Sequence, residues 1–550
     1  MYVRYLRVQN YRSLEDVELI FSKNANYLVG ENAIGKSSVL RLLSLLSLGT
    51  GITEYDYHNS ENPVVVTAEL ELLDNPEEHY VDRPEEHRLT LKVRLEKKID
   101  EVYPRLYNAE DNTPLPLGMI RRVRYIFHSA VRNNRSQLIA SHVQKLLEEK
   151  FKQLMGEQTL TLSDAEKEYS LRQDFLGDFD VSYYINIFYL SHLLGQEGRS
   201  QADNAKFISS VALNVLAQIF AMYQSREIPF NHTVICDKEG RRYLPLLVAI
   251  DEPEIHVQPY MQRSILYYYR QILHNEDPAF CRLLKALFGL DGLRGQLFVV
   301  THSTDALVDD YRNIIRFYRD SNNKVKAACG ATFHFSEEIE KHLIMHFPEV
   351  KEALYARSVI IVEGETEYGC FQLFGNTLSL RFDYYGICLI NARGESSIIK
   401  IKRLLEYFKI PVVALYDADV QEFRQGEKNV FFTEGICFEM DLAKALLLRG
   451  KRQALDNIIT TLDGAGSRVN GDMLKKACNK LGLSRQSYGP VTLKRLTTDN
   501  VETLLVYYFA WLYSNKGVIL GRMLGQSLEA EDIPPAFVKV IRKAGELARV

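Results

Sequence analysis

The chain has 550 residues, 46% hydrophobic and 25% charged, which is enough for two to four domains with proper cores. With a formal net charge of −4, any nucleic-acid binding must rest on local basic patches. There is no apolar run of about 18 residues, no signal-peptide shape at the start and no C-x-x-C pair among seven scattered cysteines. These absences lead us to expect a cytoplasmic protein with reduced thiols, without a membrane span or a zinc site.

In chain order, Val3, Tyr5 and Leu6 begin a strand, Asn10–Leu14 makes a turn, and Val17–Phe21 and Tyr27–Val29 are further strands. The third runs into Gly30-Glu-Asn-Ala-Ile-Gly-Lys36-Ser37-Ser38, a Gly-x4-Gly-Lys-Ser loop ahead of an apolar helix over 38–47. Backbone N–H groups in such a loop wrap phosphates, the lysine reaches the β/γ-phosphates and the serine hydroxyl ligates Mg²⁺. Gly30, Asn32, Gly35, Lys36, Ser37 and Ser38 are therefore the candidate contacts to ATP and its Mg²⁺. A P-loop this close to the start resembles the RecF/SMC-like branch of ABC-type ATPases, which implies that Arg12 lies near the nucleotide.

Alternation over 64–72 and 89–95 predicts half-buried antiparallel strands, 121–127 another strand, and 137–155 a charged amphipathic helix whose Glu148, Glu149, Lys150 and Lys152 form a solvated face. Residues 182–222 read as helical and contain Leu190-Ser-His-Leu-Leu-Gly195-Gln196-Glu-Gly198-Arg-Ser200. That stretch is either a broken ABC signature or an ordinary helix end at a glycine. Leu244–Ile250 is a buried strand ending in Asp251 and Glu252. Asp251 falls beside a Mg²⁺ shell and Glu252 can polarise an attacking water. Pro253-Glu254-Ile255-His256 resembles a segment of the same ATPase branch. A second buried strand, Gln296–Val300, ends at Thr301-His302-Ser303, where ABC-type heads place a histidine that senses the γ-phosphate. Residues 313–317 and 333–335 are expected to close this unit as edge strands.

After a helical linker over 336–357 the pattern restarts. Ser358–Val362 ends in Glu363, with Glu367 one helical turn on; Ile387–Ile390 ends in Asn391-Ala-Arg-Gly394-Glu395; Pro411–Tyr416 ends in Asp417 and Asp419. Strand–helix–strand–helix–strand makes a parallel βαβ arrangement whose C-terminal strand ends form one edge, so the carboxylates crowd together there. Such crowding calls for cations, and oxygen donors suit Mg²⁺ or Mn²⁺, two of which can clamp a phosphodiester.

These acids resemble a Toprim domain, and an ABC-type ATPase followed by Toprim resembles the OLD (overcoming lysogenization defect) family of nucleases. The resemblance implies Glu363, Glu367, Asp417 and Asp419 as metal ligands, joined by a later acid that best matches Glu439, with Glu434 and Asp441 as alternatives. It also implies a lysine near a helix start, best matched by Lys516. The expected fold is α/β: an ABC/RecF-like P-loop ATPase domain over 1–335 with insertions at about 51–235, a Toprim βαβ core over 358–450 and a helical C-terminal part over 451–550. The helical part carries Arg449, Lys451, Arg452, Arg468, Lys475, Lys476, Lys480, Arg485, Lys494 and Arg495, a candidate surface for a DNA backbone. The expectation is an ATP-binding, metal-dependent DNA endonuclease, dimeric or larger through its ATPase heads. The resemblance also implies anti-phage defence, with a reverse transcriptase, a retron RNA or a helicase as partner. The alternatives are a RecF-like DNA-binding ATPase without nuclease activity, and a topoisomerase- or primase-like Toprim enzyme.

Overall fold

The computed structural model describes residues 2–48, 51–122, 124–129, 141–156, 181–195, 203–226, 228–255, 257–307, 310–424, 426–463 and 467–549. His256 and residues 196–200 of the signature-like stretch lie outside the described residues. The chain forms two compact units, Met1–Phe333 and His334–Val550.

In the first unit the strands are, in order, β1 (Tyr2–Tyr11), β2 (Leu14–Ile20), β3 (Ala25–Val29), β4 (Val64–Glu71), β5 (His79–Tyr80), β6 (Thr90–Lys97), β7 (Arg105–Asn108), β8 (Pro114–Leu115), β9 (Arg124–Ser129), β10 (Ile235–Cys236), β11 (Arg242–Asp251), β12 (Gly292–Val300), β13 (Ile314–Arg319) and β14 (Val325–Cys329). They make two sheets. One is antiparallel, in the order β2-β1-β4-β6-β7-β8; the other runs β14-β13-β3-β12-β11-β10-β5, with β9 also paired to β11. Strand β4 shows why it fits the first sheet: Val64, Val66, Ala68 and Leu70 are buried and alternate with half-exposed residues, the pattern of a sheet with one wet face. Strand β11 is instead buried continuously from Leu244 to Ile250, as a central strand covered on both faces must be. The sheets meet through contacts such as Phe21 edge-on to Phe298 at 5.1 Å, and the Lys36–Leu48 helix adds Val39, Leu40, Leu42, Leu43 and Leu46 to that core.

Strands β3, β12 and β11 run parallel with Val300 opposite Leu28 and Asp251 opposite Val300. Their C-terminal ends therefore deliver the Gly30 loop, Asp251-Glu252 and Thr301-His302 to one edge of the sheet. Two expectations fail nearby. Residues 333–335 are not a strand: Phe333 closes the Gly330–Thr332 turn, and the edge place belongs to β14, antiparallel to β13, which is interior. The missed signal is the turn Asp320-Ser-Asn-Asn323-Lys324. Asn323 takes a left-handed φ of 60°, and the Asp320 and Lys324 backbones pair across it. The strand expected over 121–127 begins only at Arg124, because Leu117–Arg122 coils into a 3-10 helix.

The second unit contains β15 (Ser358–Val362), β16 (Ile387–Asn391), β17 (Val412–Tyr416) and β18 (Val430–Phe432), a parallel sheet in the order β16-β15-β17-β18. The helices Val501–Ser514, Val518–Ser527 and Pro535–Leu547 share its core: Phe537 stacks on Phe438 at 4.5 Å, and Ser358 Oγ donates to Ala544 O at 2.9 Å. The part expected to be helical also holds a two-stranded antiparallel pair, β19 (Arg468–Val469) with β20 (Val491–Thr492), on either side of the Gly471–Leu481 helix in sequence.

Candidate functional sites: a phosphate-binding cleft and an acidic sheet edge

The first unit's sheet edge opens into a cleft of about 650 Å³ lined by Arg12, Ser13, Asn32, Ala33, Gly35, Lys36, Ser37, Ser38, Glu252 and His302. All the candidate nucleotide contacts except Gly30 and Asp251 line it. Gly30 leaves β3 at φ 138°, and a Cβ there would lie 2.6 Å from Phe317 O, so only glycine lets the loop turn at this point. Lys36 is 4% exposed, and its ammonium donates to Gly30 O at 2.9 Å and Glu31 O at 2.7 Å. Burial draws its pKa down to about 8, against the upward pull of Glu252 and Asp251. Ser37 Oγ lies 3.2 Å from Asp251 Oδ1, which brings together the two side chains expected around Mg²⁺. Burial raises the Asp251 carboxyl above its ordinary value, while the Ser37 hydrogen bond opposes the rise.

Glu252 takes a left-handed φ of 51° at the strand end, and its N–H donates to Val300 O at 2.8 Å. Its carboxylate comes within 3.9 Å of His302 Nε2. Burial and then the Lys36 charge lower the His302 pKa, keeping a neutral imidazole over the cleft. Glu254 braces this corner, accepting from Thr301 Oγ1 at 2.8 Å and from His302 N at 2.6 Å. Arg12, also at left-handed φ, is held at the cleft wall by Asp56 at 2.7 Å. Ser191 belongs to the Val181–Leu193 helix and Gly195 ends it at φ 65°, the helix-end arrangement that the broken spacing left open.

At the second unit's sheet edge, Glu363 follows β15, Glu367 lies in the first turn of the Glu365–Thr377 helix, and Asp417 and Asp419 follow β17. The sheet register accounts for the convergence: Ile361 sits opposite Ile390 and Ala414, so β15, β16 and β17 end together. Thr433 holds the Asp417 loop, its hydroxyl accepting from Ala418 N at 2.9 Å and its N–H donating to Tyr416 O. Glu439, in the first turn of the Phe438–Leu448 helix, completes the group. Of the three later acids only Glu439 faces the cluster. Asp441 accepts the backbone N–H groups of Glu434 and Gly435, and Glu434 is exposed.

These acids act on one another through their charges. The Glu367 carboxyl stands well above its ordinary range through burial and then Glu439. Asp417 is pushed up to about 7 by burial, then by Glu363, Glu439 and Asp419. Glu363 is raised by burial and Asp419. A raised carboxyl pKa stabilises the fold below its ordinary 3.8, and that contribution is lost as pH rises through about 7. The metal-free protein is therefore expected to lose thermal stability between about pH 4 and 7, and Asp417→Asn to flatten that slope, as read by melting temperature against pH.

Two hydrogen bonds position the cluster's buried side. Thr366 Oγ1 donates to Glu439 Oε1 at 3.0 Å and accepts from Gly517 N at 3.1 Å. Gly517 is the N-cap of the Val518–Ser527 helix, so Lys516 is carried to the acids, where its pKa is raised by Glu439 and Glu367 in spite of burial. Two contributors escaped the sequence reasoning. Thr366 carries no motif signal. Lys480, grouped above with the DNA-facing basic residues, is instead 2.7 Å from Asp419 Oδ2.

A hard divalent cation suits this all-carboxylate donor set. Among the described residues no three His, Cys, Asp or Glu side chains close around one point: Asp419 turns to Lys480 and Glu439 to Thr366. The donors therefore fit a metal in type and place, with rotamer changes needed to gather them.

Residues 354–419 match the family described as the overcoming lysogenization defect protein-like TOPRIM domain, and residues 1–192 match the AAA ATPase domain family. The Old nuclease of Escherichia phage P2 is 23% identical over 246 residues, covering 42% of this chain and 38% of its own length. The DNA replication and repair protein RecF of Exiguobacterium sp. is 46% identical over 48 residues, 9% of this chain and 13% of that protein. The chain thus spans well under half the length of these curated relatives. The C-terminal region of the Burkholderia pseudomallei OLD protein overlays 35% of this chain and 99% of its own at 16% identity, with a TM-score of 0.25. A match to the AAA ATPase domain family and a match to the OLD-like Toprim domain family thus stand in that order along this chain.

Proposed function

We propose that the protein is an ATP-binding, metal-dependent DNA endonuclease, with Glu363, Glu367, Asp417, Asp419 and Glu439 holding Mg²⁺ or Mn²⁺ at the Toprim edge. The observation that carries this is the set of mutually repelling carboxylates at strand ends in register, with Lys516 beside them. Divalent cations bound there would activate water and stabilise the leaving oxygen of a phosphodiester. The chain's own residues then have separable tasks. Thr366 orients Glu439, Thr433 fixes the Asp417 loop, and Lys516 neutralises charge on the scissile phosphate.

In the ATPase unit, Lys36 and Ser37 hold the phosphates and Mg²⁺ together with Asp251, Glu252 polarises water, and His302 reads the γ-phosphate. We propose that nucleotide state licenses cleavage, that heads of two copies share the nucleotide, and that the enzyme acts in defence against phage. The last two parts draw on the resemblance of the domain order; sedimentation with and without ATP, and phage plating on cells expressing the protein, test them. For cleavage itself, supercoiled plasmid is incubated with the protein in Mg²⁺, Mn²⁺ or EDTA, with and without ATP. Nicked or linear product in a divalent metal and none in EDTA is expected. ATP-dependent DNA binding without product in any metal would favour the RecF-like alternative.

A further inference from the structure

Lys480 reaches the acidic edge from outside the Toprim sheet. The Gly471–Leu481 helix is started by Asn470, whose side chain accepts from Asp472 N and Met473 N, and it buries Leu474, Ala477 and Cys478. That burial turns Lys475 and Lys476 outward, while Lys480, one turn after Lys476, ends against Asp419. Lys480 is 25% exposed and Asp419 45%, so the pair by itself adds little stability. Its electrostatic reach is wider: the Lys480 charge also favours the ionised forms of Asp417 and Glu363. At the other end Glu439 and Glu367 act on Lys516, raising its pKa against the effect of burial. The nearest positive charge thus divides between Lys480 and Lys516, while the acids repel one another across the whole edge.

The basic residues expected to face DNA divide as well. Arg452 is spent on Tyr508 and the carbonyls of Leu493 and Leu496, Lys451 on Asp532 and Glu529, and Arg485 on Gly471 O and Tyr488 O. Arg468, Lys475, Lys476, Lys494 and Arg495 stay exposed with no ion pair among the described residues. All five lie on the β19–β20 pair, the turn that follows it, or the helix between the two strands that carries Lys480.

We propose that Lys480 is the resident cation of the Asp419 end of the site. It neutralises that carboxylate until a divalent cation takes it, and is then passed to a backbone phosphate of the DNA strand lying along the exposed basic residues of its own helix. Lys480 is on this view a positioning residue, and the inference rests on the acidic edge being a metal and DNA site.

The test uses the full chain and reads binding rather than cleavage. Mn²⁺ affinity is measured by calorimetry without DNA, and affinity for a short duplex by fluorescence anisotropy in Ca²⁺, for wild type, Lys480→Met and Lys480→Arg. Removing the competing ammonium is expected to tighten Mn²⁺ binding roughly two- to fivefold and to weaken duplex binding by a similar factor. Lys480→Arg should stay near wild type in both. Unchanged or weaker Mn²⁺ binding by Lys480→Met overturns the proposal. Should Lys480→Met melt early, Lys480→Gln decides on the same two readouts. A wild type that binds Mn²⁺ and DNA as expected yet never cuts would sink the nuclease function and leave the role of Lys480 standing.

Discussion

Gly521→Ala is expected to lower DNA cleavage by roughly 100-fold while leaving ATP affinity unchanged, because it displaces the helix that follows Lys516 without touching a side chain of the proposed site. The Glu365–Thr377 and Val518–Ser527 helices pack glycine to glycine: a Cβ at Gly521 would press into the Thr366 carbonyl and lie 3.1 Å from Gly369 Cα. Both obstacles are backbone, so no side chain can swing away and the helices must separate. Separation breaks the Gly517–Thr366 bond, which holds Lys516 beside the acids, and strains the bond from Thr366 to Glu439. Overpacking of this kind also costs about 1–3 kcal/mol of stability. Cleavage rates compared at a temperature well below the melting point separate the two effects. Wild-type cleavage by Gly521→Ala would mean that Lys516 is not needed where the helix puts it.

Lys36→Ala is expected to weaken ATP binding by about 10- to 100-fold, the worth of charge-assisted hydrogen bonds from one buried ammonium. Titration calorimetry with ATP checks it. A second readout comes from pH. The pKa of this ammonium is lowered to about 8 from an ordinary 10.5, so the unfolded chain holds more protons between those values. The nucleotide-free wild type should therefore gain stability as pH rises from about 8 to 10.5, and the variant should lack that gain. If cleavage is licensed by nucleotide, Lys36→Ala should also lose the ATP dependence of cutting.

Much of this architecture is legible because strand ends announce themselves. An apolar run that stops at Asp251, at Thr301 or at Asp417 names both the strand and the residue delivered to its edge, and the parallel register then brings the deliveries together. The Phe333–Phe335 expectation failed because aromatic residues alone do not make a strand, whereas the Asn-Asn turn at 322–323 does make a hairpin. Contacts across long sequence distances were out of reach. Lys480 looked like any other lysine on a basic helix, and only the fold brings it to Asp419, 61 residues earlier. Thr366 and Gly521 lie on different helices whose meeting depends on two glycines in each other's path. The choice among Glu434, Glu439 and Asp441 likewise needed the turn in which Asp441 is consumed by backbone N–H groups.

The most direct test is plasmid cleavage in Mn²⁺ by Asp417→Ala/Asp419→Ala beside wild type, with ATP affinity measured on the same preparations. Loss of the two strand-end carboxylates is expected to reduce cutting by at least about 100-fold with ATP binding intact. Cutting at the wild-type rate by the double variant would contradict a Toprim metal site as the seat of the chemistry.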